Sequence, residues 1–448
     1  MVGGLVVATL LFAFYLGVAT QFSYESWVRG SCGGIFDAQA RALLAGRIDL
    51  DPSVLGGEAF EREGRFYTYF GILPALLRIP LLALPERDWT TLSCALAATL
   101  ATFCLLLALR DAAGAARRAS PVTVVAAALA ATFVASGPQF ELVAKPTVYV
   151  EALLWAYAAI CAFLWAALPL LAEERPSAAR LLALGTCAAL ALLTRVTAGL
   201  ALYAACGMLA VVLLRRSATL STLRLLVPGA ATLALGLAAV GLVNQSRWDH
   251  PLEFAPLTRH VGYVNDAARS ARLAAYGAFE LERIPYAAAY YFAPRQFREA
   301  RWRGPHAADI KRLFDNVEGP PASQFENKLA WWLLAAGGLV AALFRRGAAA
   351  PLRAGIGALA GGLALPVLVV LSYGYLAFRF GAEFAPLAVL GSLVTLAGLA
   401  RAAARRRWST ASVAAVLVMC GAAALQIEAS WRHAAAYVAS DYTDGACG

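Results

Sequence analysis

The stretch CGGIFDAQARALLAGRIDLDPSVLGGEAFEREGRFYTYFGILPALLRIPLLALP, residues 32–85, lies between two long apolar segments and is far more polar than either. A Gly-Gly pair is followed by Asp37 and by a helix-forming run over residues 38–45. A charged segment, residues 58–65, leads into the aromatic-glycine turn YTYFG and an apolar run that contains two prolines. We expect this polar stretch to form the floor of a functional site at a membrane surface.

The remainder of the chain has the composition of a membrane protein. Of the 448 residues, 60% are hydrophobic and only 15% are charged. Repeated apolar runs of about 18 residues or more predict transmembrane helices. We therefore predict an all-α polytopic membrane protein in which residues 1–448 form a single integral membrane domain. The eleven predicted crossings are residues 3–20, 89–110, 120–136, 148–171, 180–194, 197–214, 223–243, 328–344, 354–373, 383–400 and 410–427.

The distribution of arginine predicts the orientation of these crossings. Five short loops contain fifteen Arg against three acids; they follow residues 110, 171, 214, 344 and 400. The positive-inside rule places such loops in the cytoplasm, which also explains the net charge of +10 without a nucleic-acid partner. The five loops share one side only if residues 67–84 do not cross. Arg78 and two prolines in that run favour a re-entrant or interfacial segment.

This topology places the N-terminus in the cytoplasm and the C-terminus outside it, as expected for a multi-pass protein of a bacterial inner (plasma) membrane. It also places two large loops on the outer side. Residues 21–88 form the first outer loop, with juxtamembrane or re-entrant helices. Residues 244–327 form the second, which we expect to act as a cap.

Ionisable residues collect near the outer ends of the predicted helices. They are Asp37, Glu141, Lys145, Glu151, Arg195, Arg247, Arg379 and Glu383. Charges at such depth are costly and usually face a polar cavity. Arg195 lies between two spans that leave no room for a solvated loop, so a buried anion or carboxylate partner is expected for it.

Several of these residues also have purely structural interpretations. Asp37 could be a helix N-cap, a position that aspartate favours. Lys145 and Glu151 could pair with each other, and Arg379 and Glu383, one turn apart, could form an i,i+4 ion pair.

Taken together, a carboxylate and several cations in an outer cavity suit one kind of reaction. The cations would hold a lipid-linked phosphate, for which arginine is a good bidentate ligand. The carboxylate would accept a proton from an acceptor hydroxyl as that hydroxyl attacks a sugar. Tyr67 and Tyr69 could stack on sugar rings, or could belong to the aromatic belt at the membrane interface.

The chain resembles the GT-C superfamily of polyprenyl-phosphate-sugar-dependent membrane glycosyltransferases, especially bacterial relatives of protein O-mannosyltransferase and of the lipid A aminoarabinose transferase. Four stretches carry the resemblance: FDAQARALLAG after the first span, GRFYTYFGILPALLRIPLL, NQSRWDHPLEFAPLTRHVGY from Asn244, and FRFGAEFAP from Phe378. The second is similar to a Gly-aromatic-Tyr-Phe-Gly-x-x-Pro signature of bacterial members. The last is similar to an Arg-Tyr-x-x-Asp-x-x-Pro motif, with Phe380 and Glu383 where Tyr and Asp are commoner.

The resemblance implies a GT-C-like bundle with two large extracytoplasmic loops and a catalytic aspartate, Asp37, in the first of them. Ala38 stands where many members have a second acid. Arg195, Arg247 and Arg379 are the implied ligands of the donor phosphate. Tyr67, Tyr69, Lys145, Glu151 and Glu383 are the further substrate-binding candidates. The implied partners are a polyprenyl-phosphate-sugar donor and an extracytoplasmic glycan, lipid or protein acceptor.

No cofactor or metal ion is predicted, although a divalent metal remains possible. The Asp-Leu-Asp sequence of Asp49 to Asp51 has the pattern of a metal-binding DxD motif, but it faces away from cytoplasmic nucleotide sugars in this topology. Six of the eight cysteines fall inside predicted spans, and we expect the other two, Cys32 and Cys447, to form a disulfide.

Two other functions remain open at this stage. A glycolipid transporter or flippase would also need polar residues inside a bundle, but the chain shows no internal repeat of the kind many transporters have. A non-catalytic envelope-assembly protein would be favoured if Asp37 and the arginines proved to be far apart.

Overall fold

The computed structural model describes residues 2–24, 34–84, 88–114, 121–171, 176–216, 219–302, 304–318, 323–344, 350–403 and 410–439. The α-helices are α1 (Val2–Ala19), α2 (Ile35–Leu44), α3 (Pro52–Leu55), α4 (Leu73–Arg78), α5 (Thr90–Ala113), α6 (Pro121–Ala135), α7 (Pro138–Val143), α8 (Val148–Leu170), α9 (Ala178–Thr194), α10 (Val196–Arg216), α11 (Leu220–Trp248), α12 (Val261–Val264), α13 (Ala267–Tyr276), α14 (Ile284–Phe292), α15 (Arg295–Trp302), α16 (Ala307–Leu313), α17 (Gln324–Asn327), α18 (Leu329–Phe344), α19 (Ala350–Ser372), α20 (Ala385–Ala403) and α21 (Thr410–Val438).

The remaining regular elements are short. Helices of the 3-10 type cover Gly56–Glu58, Ile79–Ala83, Leu257–Arg259, Leu281–Arg283 and Phe378–Glu383. Two small sheets pair β1 (Phe60–Arg62) with β2 (Arg65–Tyr67), antiparallel, and β3 (Asn316–Val317) with β4 (Tyr375–Leu376), parallel. The predicted all-α class is confirmed.

Each of the predicted crossings overlaps a helix. Eight helical segments among the described residues are long and apolar enough to span a membrane, so the chain is a multi-pass membrane protein. The other predicted crossings fall on α9, α18 and α21. Of these, α9 and α18 are shorter apolar helices. The count of eleven crossings therefore stays a prediction.

The apolar run over residues 67–84 does not form one continuous helix. Its helical part is α4 followed directly by the 3-10 helix Ile79–Ala83, and each piece has a proline in its first turn. Together the two pieces extend less than about 20 Å at their usual rise per residue. This is shorter than the hydrocarbon core of a bilayer, which is about 30 Å thick.

Close helix packing builds the core of the bundle. The main helix pairs are α5 with α8, α9 with α11, α10 with α19, and α18 with α20. Between α9 and α11, glycines let the backbones meet: a Cβ atom added to Gly185 would lie 2.4 Å from the carbonyl oxygen of Gly229. Small residues at such contacts are the usual device for bringing membrane helices together.

The two long loops meet on one face of this bundle. The Val261 N–H donates to the Ala59 carbonyl at 2.8 Å, and Phe60 forms a β-bridge with His260. We call the described residues of 34–84 and 249–323, with the helix ends that they cover, the loop face. Residues 244–248, which the sequence assigned to the second loop, are the last turn of α11.

Replacing Gly185 by alanine should destabilise the bundle, because the methyl group would have to push α9 away from α11. Overpacking of this kind costs about 1–3 kcal/mol. Gly337→Ala is the matched control, since an added Cβ there meets nothing within 4 Å. Melting of the purified protein, followed by tryptophan fluorescence, should show a lower Tm for Gly185→Ala only. Equal melting temperatures for the two variants would contradict the close packing of α9 and α11.

Candidate active site at the loop face

Asp37 lies in the first turn of α2 and is paired with Arg78. The N-cap of α2 is Gly34, whose φ of 95° suits glycine, so Asp37 is not the cap. Arg78 Nη1 donates to Asp37 Oδ1 at 2.8 Å, and its Nη2 donates to Glu151 Oε2 at 2.7 Å and to Thr90 Oγ1 at 3.1 Å. One buried guanidinium therefore holds two buried carboxylates, and Glu151 does not pair with Lys145.

Two opposing effects act on the pKa of the Asp37 carboxyl. Burial raises the pKa of the Asp37 carboxyl, and the charge of Arg78 opposes that rise without cancelling it. Arg78 is also shared with a second carboxylate, Glu151. Asp37 is therefore a buried acid whose pKa lies closer to neutral than the pKa of a solvated aspartate.

A second ion pair joins the start of α10 to the segment before α20. Arg195, between α9 and α10, donates from Nε to Glu383 Oε1 at 2.5 Å, and Thr197 donates to the same oxygen at 3.0 Å. The Glu383 side chain is only 4% exposed. The carboxylate partner expected for Arg195 is thus Glu383, which lies 188 residues further along the chain.

A third ion pair involves Arg379. Its Nη1 donates to Glu318 Oε1, and the backbone N–H of Phe378 donates to Glu318 Oε2 at 3.1 Å. Arg379 therefore pairs with Glu318 and not with Glu383, its i+4 neighbour. The guanidinium carbons of Arg379 and Arg195 lie 5.4 and 5.3 Å from the centre of the Phe380 ring. Two of the predicted phosphate ligands are thus neighbours on one aromatic ring.

Aromatic and acidic side chains surround Arg379. Its guanidinium lies 4.8 Å from the Tyr149 ring, and Tyr69 stacks on Phe70 at 4.4 Å. Burial raises the pKa of Glu58 but is outweighed by hydrogen bonds from His260 and Tyr149 and by the charges of His260 and Arg379, so this pKa is lowered. Glu58 is therefore an ionised carboxylate in the electrostatic field of Arg379.

Arg247 differs from Arg78, Arg195 and Arg379, each of which pairs with a carboxylate. It lies in the last turn of α11, is 3% exposed, and donates from Nη1 to the Phe70 carbonyl at 2.9 Å. Its Nε and Nη2 are buried without a hydrogen-bond partner. Among the residues that the structure describes, no carboxylate forms a salt bridge with it. A buried charge is normally paired, so Arg247 is a cation that lacks its anion.

The remaining predicted residues have more peripheral positions. Tyr67 is buried against Trp248, with ring centres 5.9 Å apart. Lys145 lies 5.7 Å from the Tyr437 ring. Cys32 and Cys447, the predicted disulfide, lie outside the described residues.

The Asp-Leu-Asp sequence has local structural roles. Asp51 caps α3 by accepting from Ser53 N–H at 2.8 Å, and Asp49 pairs with Arg47 at 3.3 Å. Across the described ranges, no three His, Cys, Asp or Glu side chains are grouped so that they could hold a metal ion.

A chain of aromatic rings connects the Asp37 pair to the arginines. Phe36, next to Asp37, lies 5.6 Å from Phe70, and Phe70 lies 5.6 Å from Tyr149. Tyr149 in turn lies under Arg379. Asp37 and the Phe380 pair of arginines are therefore on the same face of the bundle, with these rings between them.

Sequence reasoning missed three residues that complete the site. Arg78, the partner of Asp37, had a signal, because it is the single charge in an otherwise apolar run. Glu58 and Glu318 had none, because their neighbours in sequence differ from their neighbours in space.

The fold and the polar network define a polytopic α-helical membrane protein with a charged site at one end of the bundle. Among solved structures, the chain is similar to the oligosaccharyltransferase of Archaeoglobus fulgidus in its apo form, with a TM-score of 0.54, 16% identity, and coverage of 95% of this chain and 56% of that chain. The chain is also similar to AglB, an archaeal oligosaccharyltransferase from Archaeoglobus fulgidus solved in complex with an inhibitory peptide and a dolichol-phosphate. The TM-score is 0.53 and the sequence identity is 17%, with coverage of 97% of this chain and 56% of that chain.

ArnT from Cupriavidus metallidurans bound to undecaprenyl phosphate is also similar, with a TM-score of 0.47, 15% identity, and coverage of 93% of this chain and 62% of that chain. No family model and no curated protein sequence matches the chain. The archaeal oligosaccharyltransferase is a GT-C superfamily glycosyltransferase, so the chain has a GT-C-like fold. It spans just over half the length of the archaeal chains that it matches.

Asp37→Asn should leave the protein at least as stable as the wild type at pH 7.5. A carboxyl whose pKa is raised by folding adds stability that is fully present below its unfolded pKa, about 3.9, and is lost as pH rises through the folded pKa. Asparagine mimics the neutral form at every pH. The Tm should therefore fall less steeply for the variant than for the wild type as the pH rises from 4 to 8. A large loss of Tm in the variant at pH 7.5 would contradict the raised pKa.

Proposed function

We propose that this chain transfers a sugar from a polyprenyl-phosphate-linked donor to an extracytoplasmic acceptor that is a glycan, a lipid or a protein. The observation that carries the proposal is Arg247, a buried guanidinium with two nitrogen atoms that lack a hydrogen-bond partner, in a GT-C-like fold. A phosphate supplies the missing charge and the missing acceptors together. AglB, with the same type of fold, has been solved with a dolichol-phosphate.

The three arginines have different roles in this proposal. Arg247 has no carboxylate partner among the described residues, so it is the principal ligand of the donor phosphate. Arg195 and Arg379 are each neutralised by a glutamate. They offer N–H groups rather than net charge, and they stabilise the phosphate as negative charge builds on the leaving group.

Asp37 is the proposed general base. It takes the proton from the acceptor hydroxyl as the hydroxyl oxygen bonds to the anomeric carbon, and the bond from that carbon to the lipid phosphate breaks. A base works best when its pKa lies near the working pH, and burial shifts the pKa of Asp37 upward. Glu151, fully buried on Arg78, is a positioning residue, because it fixes the guanidinium that orients Asp37.

The other candidates contact or orient substrate. Tyr69 lies at the aromatic side of the site, where it offers a face to the sugar, and Tyr67 supports it from the Trp248 cluster. Glu383 orients Arg195. Lys145 contributes positive charge at the end of the bundle. The loop face is the extracytoplasmic face of a bacterial plasma membrane in this proposal.

Asp37→Asn should lower turnover about 10²–10⁴-fold, the usual contribution of a general base. Asp51→Asn is the matched control, because it removes a carboxylate from the same loop at an exposed helix cap. The assay follows release of undecaprenyl phosphate from undecaprenyl-phosphate-linked pentoses and hexoses in nanodiscs that contain envelope lipids. If Asp37→Asn keeps wild-type turnover, Asp37 is not the base.

Arg247→Met should weaken binding of undecaprenyl phosphate while raising the Tm of the ligand-free protein. The substitution removes a buried charge without a partner, so the fold gains stability that the wild type gives up for binding. Charge-assisted hydrogen bonds of about 1.5–3 kcal/mol correspond to a loss of affinity of roughly 10- to 150-fold. Arg65→Met, at an exposed position in β2, should change neither quantity.

Binding is measured by the rise in Tm that the lipid phosphate causes, since a ligand at 100 times its Kd stabilises the folded state by about 2.7 kcal/mol. Undecaprenol, which lacks the phosphate, should give no rise with any variant. If undecaprenyl phosphate raises the Tm of Arg247→Met as much as it raises the Tm of the wild type, Arg247 is not part of the phosphate site.

A further inference from the structure

His260 of the second loop and Glu58 of the first loop lie against each other where the two loops meet. His260 Nε2 is 3.8 Å from Glu58 Oε2, which is an ion-pair separation when the imidazole is protonated. The imidazole is buried and packs edge-on against Phe60, with ring centres 4.7 Å apart. The neighbouring Val261 N–H donates to the Ala59 carbonyl at 2.8 Å. The backbones of both loops therefore hold this pair in place.

Glu58 is in turn connected to the proposed phosphate ligands through Tyr149. The Tyr149 hydroxyl hydrogen-bonds the Glu58 carboxylate, and the charge of Arg379 acts on that carboxylate. The same Tyr149 ring lies 4.8 Å from the Arg379 guanidinium. Among the side chains that the structure describes, no Arg or Lys forms a salt bridge with Glu58, and His260 is its one basic neighbour at ion-pair distance. The negative charge of Glu58 therefore acts on the phosphate site unless His260 neutralises it.

His260 is the member of this group of side chains whose charge changes near neutral pH. The other titratable and charged groups that face the pair are Tyr69, Tyr149, Tyr373 and Arg379 around Glu58, and Tyr263 and Asp315 on the side of His260. Tyrosine and arginine keep their charge state between about pH 5 and 8, the range in which histidine titrates. Asp315 is paired with Arg272 at 2.8 Å. Among the described groups, none donates to His260 Nδ1, so no donor holds the ring in its neutral form.

We propose that the charge of His260 sets the affinity of the phosphate site, so that a lipid phosphate binds more tightly when His260 is protonated than when it is neutral. The inference rests on the proposed function, in which Arg247, Arg195 and Arg379 hold the donor phosphate. Beside a neutral imidazole, the Glu58 carboxylate repels the phosphate. Beside an imidazolium, the pair has no net charge and the repulsion is removed. By linkage, the bound phosphate in turn favours protonation of His260.

The expected size of the effect follows from the separation of the charges. The path from Glu58 through the Tyr149 ring to Arg379 is about 10 Å long, and at an effective dielectric constant of about 20 a unit charge at that distance changes an affinity roughly 10-fold. A contact that only ties the two loops together would act differently. Its loss would lower the stability of the protein, and the affinity for phosphate would not depend on the charge of residue 260.

The probe is undecaprenyl methyl phosphate, a phosphodiester that, like the proposed donor, keeps one negative charge across the pH range of the test. Its Kd for the full chain in nanodiscs is obtained at pH 5.5 and at pH 8 from the concentration dependence of the rise in Tm. His260→Gln takes up no proton, so it should match the wild type at pH 8 and bind about 10-fold more weakly than the wild type at pH 5.5. His306→Gln is the matched control, because it removes another histidine of the second loop that lies 3.9 Å from a carboxylate, that of Asp309. It should follow the wild type at both pH values.

Glu58→Gln provides an independent measurement. Removing the repelling carboxylate should tighten binding roughly 10-fold at pH 8, and this gain should shrink at pH 5.5, where His260 neutralises Glu58 in the wild type. Loss of a merely structural contact would weaken binding or leave it unchanged.

The inference is overturned if the ratio of the two Kd values is the same for His260→Gln as for the wild type, or if Glu58→Gln fails to tighten binding at pH 8. In either case the wild type still binds the probe, so the phosphate site of the proposed function stands. A wild type that binds the probe at neither pH would overturn the proposed function, and this inference with it.

Discussion

A guanidinium buried at the end of an apolar bundle needs an anion within reach, and this requirement organises the loop face. The Arg78 guanidinium forms ion pairs with both Asp37 of the first loop and Glu151 of α8. Arg195 and Arg379 pair with glutamates far along the chain. Arg195 and Arg379 each have a single glutamate partner in these pairs, and removing that partner costs about 3–5 kcal/mol, because a buried charge is left unpaired. These ion pairs therefore fix how the loops sit on the helices.

Arg247 breaks the pattern and gives the site its function in our proposal. One of its guanidinium nitrogens donates to a backbone carbonyl, and the other two nitrogens have no hydrogen-bond partner. A protein selected only for stability would have replaced it by an apolar residue. Violations of this kind are expected where a site is built for a ligand.

The backbone architecture followed closely from the pattern of residues. Long apolar runs predicted where helices lie, because a segment of about 20 apolar residues has few alternatives to a helix in a membrane. Pro74 and Pro80 indicated that the run after the aromatic-glycine turn would be broken, and α4 and the next 3-10 helix each begin near one of them. The number of crossings and the side on which the loops lie depend on the bilayer, which the helices alone do not define.

The sequence by itself determined the fold class, the helices and the position of Asp37 in the polar stretch between the first two of the long helices. Only the tertiary structure decided the partner of each charge. Locally, Asp37 suited a helix cap and Arg379 suited Glu383, whereas the bundle pairs Asp37 with Arg78 and Arg379 with Glu318. Helical periodicity extends over a few residues, and it carries no information about which distant helix ends will meet. That choice comes from close packing, which brings residues 188 positions apart, such as Arg195 and Glu383, within hydrogen-bond distance.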